Sequence, residues 1–342
     1  MPTAPATARA TSLALFFTAF APLSLAHHGA AGFDPTQYVT LEGTVREYRW
    51  GNPHVYITIE VKDAAGKSVL QQVEAAPAAQ LMSRGVTREL LHAGDHVTVR
   101  ANPHRGGPGY AVLGYELTTA NGSHFPLTTA ALKSLGPGEG LASSVAGTWV
   151  PQPEGFMKLL PAVQGWPKTE QAKKVMASSG PDIVANRLKC IPQGPPFLMS
   201  LSVPIGIAVS KDRVTLDIDF GDNSHRVVQL GATHPAGLKP SLLGHSIGHW
   251  EGTTLVIDTT GYEAHPDGIG YGVPTSRGKH TIERLALASD GRHIDYDITI
   301  EDPAYLGAPV RFQTQWDYRP GQQPSKARCD SDTARRYLQD TP

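Results

Sequence analysis

Histidine gives this chain its chemical options. The sequence has 342 residues, 14 of them histidine, the side chain whose ordinary pKa lies nearest neutrality and which also ligates metals well. His27 and His28 follow Ser24-Leu25-Ala26, which places small residues where a signal peptidase cuts. Cleavage after Ala26 would leave His27 with a free α-amino group beside its imidazole, two nitrogens able to chelate one metal ion. His54, held behind Pro53 at the head of a strand, and His104, in the segment Asn102-Pro103-His104, are the residues expected to complete such a site. A nitrogen-rich set of this kind favours copper, with zinc as runner-up. A plainer expectation competes, in which His28 and His54 bond backbone carbonyls and the His-His pair is a loose terminus.

A second set lies far along the chain. His245, His249 and Trp250 fall on one strand, joined by the turn Glu251-Gly252 to the strand that carries Asp258. Strand alternation puts His245 and His249 on one face. It likewise puts His280, Ile282 and Arg284 on one face, with Glu283 opposite. If His245, Asp258 and His280 converge in the mouth of a barrel, with Arg284 beside them, they form a metal-free acid–base group for a small ligand. His249 and Trp250 would then contact that ligand. The competing expectation is that Trp250 packs a barrel end while Asp258, Glu283 and Arg284 make structural hydrogen bonds and ion pairs. A nucleophilic serine is not signalled, because no Gly-x-Ser-x-Gly elbow occurs. No nucleotide or flavin cofactor is indicated: the glycines from Gly136 onward lack the lysine and strand–helix context of a phosphate loop.

These residues need elements to hold them. Residues 1–26 read as a signal peptide, with Arg9 in the n-region and an apolar stretch from Leu13 to Leu25 broken by Pro22. That run is too short for a transmembrane helix and no later one is longer, so a periplasmic or secreted protein is expected. Residues 27–126 alternate in the order strand, strand, strand, helix, strand, strand, which is the order of a five-stranded OB-like barrel. Residues 127–144 are a Gly/Ser/Ala-rich linker. From 145 to 342 a helical stretch (160–189, with Thr169 as a cap) precedes eight strands between Ile205 and Tyr318. Their hairpin spacing predicts a lipocalin-like antiparallel barrel or curved sheet, with a β-sandwich as the alternative. Cys190 and Cys329 are the only cysteines. In an oxidising compartment they are expected to form one disulfide, two separate thiols being the other option.

Composition removes some functions. Thirty Lys and Arg against 31 Asp and Glu give a net charge of −1, so the basic surface that nucleic-acid binding needs is missing even though OB folds often provide it. The row His293, Asp295, Asp297, Thr299 and Glu301 alternates with Ile294, Tyr296, Ile298 and Ile300, as the solvated face of an antiparallel strand does.

His27-His28-Gly29, Leu41-Glu-Gly-Thr-Val45 and Trp50-Gly-Asn-Pro-His54 resemble a family of small exported bacterial domains of unknown function, marked by His-His after the signal and a Trp-x-Asn-Pro-His motif. Cys190-Ile-Pro-Gln-Gly-Pro-Pro196, the block from Gly244-His-Ser-Ile-Gly-His-Trp-Glu-Gly to Asp258-Thr-Thr-Gly261, and His280-Thr-Ile-Glu-Arg284 resemble a group of uncharacterised exported bacterial proteins. The resemblance implies architecture and export but no activity. Three functions remain: an exported binding protein with a metal site at its N-terminus and a small apolar or aromatic ligand in the second barrel; a periplasmic enzyme, either a copper-dependent oxidase or a lyase, isomerase or hydrolase of the second barrel; or a structural or interaction protein of the envelope.

Overall fold

Alternating apolar residues between Val39 and Thr119 close into a barrel because every second side chain has the same interior to fill. The computed structural model describes residues 32–51, 54–82, 84–128, 138–189, 191–220 and 224–322. The expected signal peptide, His27, His28, Cys190 and Cys329 lie outside these residues. The strands are β1 (Val39–Arg49), β2 (Val55–Lys62), β3 (Ser68–Ala75), β4 (His96–Asn102), β5 (Val112–Thr119) and a short β6 (His124–Pro126). Helix α1 (Ala78–Met82) lies between β3 and β4. β1 pairs with both β2 and β4, and a parallel step from β3 to β5 at Val73 and Val112 closes five strands into the expected OB-like barrel. Val45, Val55, Ile57, Ile59, Val73, Val99 and Leu117 are buried in its core. Gly43 lets β1 pass close to β2, since a Cβ there would stand 2.2 Å from the Glu60 carbonyl oxygen.

The second barrel is larger. Its strands are β7 (Gly147–Pro151), β8 (Ile205–Val209), β9 (Arg213–Ile218), β10 (His225–Leu230), β11 (His245–Glu251) and β12 (Thr254–Thr260). A hairpin of β13 (His265–Gly270) and β14 (Val273–Thr275) follows, and β15 (His280–Leu287), β16 (His293–Glu301) and β17 (Val310–Tyr318) complete the set. Nine strands close the ring: β7 to β12 in order, then β15, β16, β17 and back to β7. Two features depart from the expected eight-stranded meander. β7 closes the ring, and β10 pairs with β11 in parallel because the chain from 231 to 244 crosses over between them. Helices α2 (Pro153–Gly165), α3 (Glu170–Ser178) and α4 (Gly180–Leu188) are inserted between β7 and β8. Thr169 caps α3 as its sequence position suggests, accepting a hydrogen bond from the Ala172 N–H at 3.1 Å.

The interior that a lipocalin would use to hold a ligand is occupied here by side chains. Trp149, Leu216, Val228, Leu255, Ile257, Leu285, Ile298 and Trp316 fill it. Among them sits a buried ion pair between Arg226 of β10 and Glu283 of β15. Arg226 also donates to Ser246 Oγ at 3.0 Å and Thr259 Oγ1 at 2.7 Å, and Tyr296 donates to Glu283 Oε1 at 2.6 Å. Desolvating two charges costs several kcal/mol per ion, and these bonds offset part of that cost. Lys279 is 2% exposed; its ammonium donates to the Pro195 carbonyl and lies 4.6 Å from the centre of the Tyr262 ring. Burial pushes its pKa down to about 7, against the pull of the Asp302 and Glu283 carboxylates.

Candidate functional site

The outer face of the second barrel collects the residues that the sequence singled out. Antiparallel register sets His245 of β11 opposite Thr260 of β12, and His280 of β15 opposite Glu301 of β16. Asp258 lies two residues before Thr260 and so shares its face. The side chains meet. His280 Nε2 lies 2.9 Å from Asp258 Oδ1, and Glu301 Oε2 is 3.6 Å from His280 Nδ1. Asp258 and His280 are therefore in direct contact, and His245 reaches them through a further residue.

A fourth member, His234, comes from the crossover between β10 and β11. Its Nε2 lies 3.2 Å from Asp258 Oδ1 and its Nδ1 lies 2.9 Å from Nδ1 of His245. Strand alternation could not have found it, because it sits on an irregular segment. The proton positions follow from the partners. A carboxylate only accepts, so His234 donates from Nε2. In a neutral ring its Nδ1 is then an acceptor, and His245 must donate its Nδ1–H. That leaves the lone pair of His245 on Nε2. Burial, and then the neighbouring His234, hold the His245 pKa below its usual value, which keeps this nitrogen basic but unprotonated near neutrality. The result is a relay: carboxylate, orienting imidazole, terminal base.

Backbone geometry holds the relay in place. Gly244 immediately precedes β11 with φ of +69°, and a Cβ on it would stand 2.6 Å from the Thr260 carbonyl oxygen. Only glycine fits both demands. On the inner side of the same strands, Ser246 Oγ and Thr259 Oγ1 lie 3.0 Å apart and are tied to Arg226, so the wall behind the cluster is a closed hydrogen-bond network.

Other expected residues fall elsewhere. Arg284 does not join the cluster: it lies four residues beyond His280, about 13 Å along the strand, and pairs with Glu251 at 2.7 Å. His249 lies 3.3 Å from Glu251, and Trp250 stands 39% exposed opposite Leu255. Glu283 faces inward, as alternation predicts. Across the sheet Asp297 is paired with Arg311 and bonded by Gln313, and Asp295 accepts a hydrogen bond from Gln315.

In the first barrel, His54 and His104 have separate neighbours. His54 Nδ1 lies 2.9 Å from the Ala75 carbonyl and 3.2 Å from Glu74 Oε1, and burial lowers its pKa to about 4. His104 is 5% exposed, stacks on Tyr110 and meets Phe33 edge-on. Its Nδ1 accepts the Gly106 N–H at 2.9 Å. Its Nε2 is buried, has no hydrogen-bond partner among the described residues, and faces Gly32, where a Cβ would stand 2.9 Å away. Among the described residues no group of three or more His, Cys, Asp or Glu side chains is arranged to hold a metal ion. The barrel cluster fits that result, since its nitrogens are strung along a hydrogen-bonded chain rather than aimed at one point. No described helix is long and apolar enough to cross a membrane.

No curated protein matches the chain. Residues 16–112, from before the first barrel to the opening of β5, match the model of a family of unknown function, DUF6152, and it is to this uncharacterised family that the N-terminal part of the chain is similar.

Proposed function

We propose that this is an exported two-domain protein whose second barrel performs proton transfer on a small ligand at its outer face, as a lyase, isomerase or hydrolase. The observation that supports this reading is the chain Asp258–His234–His245, which leaves an imidazole nitrogen unprotonated at the end of an oriented relay. A carboxylate that fixes the tautomer of one imidazole, which in turn orients a second, suits general-base catalysis at neutral pH. His280, also bonded to Asp258, supplies a second proton-carrying group beside it. The packed interior of the barrel directs the ligand to this face rather than to the lumen. Export is supported by Arg9, the apolar stretch to Leu25 and the small residues before His27.

The test is turnover of a panel of activated esters, lactones and β-eliminating substrates by wild type, His245→Ala and His280→Ala. Positioned general bases contribute 10²–10⁴-fold. The reading predicts a loss of at least about 100-fold in both variants with an unchanged melting temperature. A large loss of stability in both would mark them as packing residues.

A second reading concerns the mature N-terminus. His54 gives its Nδ1–H to the Ala75 carbonyl, which makes Nε2 the unprotonated nitrogen of the neutral ring and so the one able to ligate a metal. With the α-amino group of His27 it would favour copper, with zinc next. His104 suits this set less well, since its Nδ1 accepts the Gly106 N–H and its Nε2 therefore carries the ring proton. Stoichiometric copper in protein starting at His27, lost on His54→Ala or on adding one residue before His27, would support this reading. Equal metal content in all three proteins would refute it.

A further inference from the structure

The outer face of the second barrel holds a second feature. Helix α2 packs on β17, and an open groove of about 500 Å³ lies between it and the outer faces of β15, β16 and β17, within the usual range of small-molecule sites. The helix comes close at Gly155, where a Cβ would stand 1.8 Å from Thr314 Oγ1, so the groove has a fixed wall. Most of its lining residues are polar and, counted by sign, the charges balance: Lys158, Arg284 and Arg311 against Glu154, Asp295 and Asp297.

That lining narrows the occupant. An apolar ligand is disfavoured because Ala286 is the only aliphatic side chain on the wall. An anion is disfavoured because three carboxylates offset the three cations. Strand addition by a peptide is disfavoured because the barrel is closed and β15 to β17 have partners on both sides. The groove instead repeats one motif, a carboxylate beside an amide. Gln313 Nε2 donates to Asp297 at 2.7 Å and Gln315 Nε2 to Asp295 at 2.8 Å. The amide oxygens of both glutamines have no partner among the described residues, and neither has the Lys158 ammonium. A hydroxyl group both donates and accepts, so a row of hydroxyls matches paired acceptors flanked by cationic donors.

We propose that this groove binds a polyhydroxylated ligand, a short neutral oligosaccharide. The binding is separate from the histidine relay: Arg284, on the groove wall, stands about 13 Å along β15 from His280.

The test is isothermal titration of the full mature chain with cello-, malto-, chito- and xylo-oligosaccharides of six units. Binding of at least one series, weakened tenfold or more in Gln313→Ala/Gln315→Ala and abolished in Ala286→Trp, with unchanged melting temperatures, is the expected result. Ala286→Trp fills the groove from an outward-facing position opposite Asp295 and leaves the Asp and Gln residues themselves unchanged. Absence of binding in all four series, or affinity unaltered in both variants, would overturn the proposal. The histidine relay would be untouched by either result, because His245→Ala is expected to leave the sugar affinity within twofold.

Discussion

Replacing Lys279 with methionine will change the pH dependence of stability more than its level at any one pH. The amine is 2% exposed and its pKa in the folded protein is about 7, against about 10.4 for lysine in an unfolded chain. Between these values the unfolded chain holds a proton that the folded chain has released. Stability of the wild type therefore rises with pH across that window and is lost as pH falls toward 7. Each pH unit is worth about 1.4 kcal/mol when fully inside the window, so from pH 7.5 to 9.5 the gain is about 2–3 kcal/mol. Buried Tyr262 and Tyr296 have pKa values raised by desolvation. Their contribution falls above pH 10, where unfolded tyrosines begin to ionise, so the upper limit of the experiment is pH 9.5. The assay is urea unfolding of wild type and Lys279→Met at half-unit steps, extrapolated to water. The stability difference between the two proteins should shift by about 2–3 kcal/mol in favour of wild type over that range. A constant difference would refute the reasoning, because it would mean that Lys279 titrates as an ordinary surface amine.

Other expectations follow from the same physical bookkeeping. His54 is held neutral, with a folded pKa of about 4 against about 6.5 unfolded; it should cost stability as pH falls from 6.5 to 4, and His54→Gln should flatten that limb of an acid-unfolding curve. Glu283→Ala leaves the Arg226 guanidinium buried without its carboxylate, and chemical denaturation should register a loss of about 3–5 kcal/mol. Gly244→Ala combines φ of +69° with a Cβ 2.6 Å from the Thr260 carbonyl; a loss of at least about 1–3 kcal/mol is expected, and a neutral result in thermal unfolding would show that β11 can start another way.

Much of the architecture was legible because it rests on period-two patterns. The residues Val55, Ile57 and Ile59, or Ile294, Tyr296 and Ile298, declare their buried face directly. The same alternation set Glu283 on the opposite face of its strand from His280, but the cluster expected in a barrel mouth lies on the outer face, because the interior is filled by side chains. Closure of the ring was less legible: β7 is five residues long and separated from its neighbour β8 by three helices, so no local pattern announces the pairing. The parallel step from β10 to β11 was hidden for the same reason. Arg226 was not picked out, since a cation inside a barrel is visible only once Glu283 stands across from it. His234 was invisible for a related cause. Its position depends on the course of the crossover from 231 to 244, not on any strand, yet it joins His245 to Asp258. The expected grouping of Arg284 with the cluster failed on distance along the strand: sharing a face with His280 is not the same as touching it.

The central claim concerns which nitrogens of His234 and His245 carry protons, and ¹⁵N chemical shifts of histidine side chains report this directly. At pH 7 the relay predicts His234 protonated at Nε2 and His245 protonated at Nδ1, the less common tautomer in solution, with Asp258→Asn abolishing that preference. Finding His245 with its proton on Nε2, or the same tautomers in wild type and Asp258→Asn, would contradict the relay and leave the cluster as three independent surface histidines around a carboxylate.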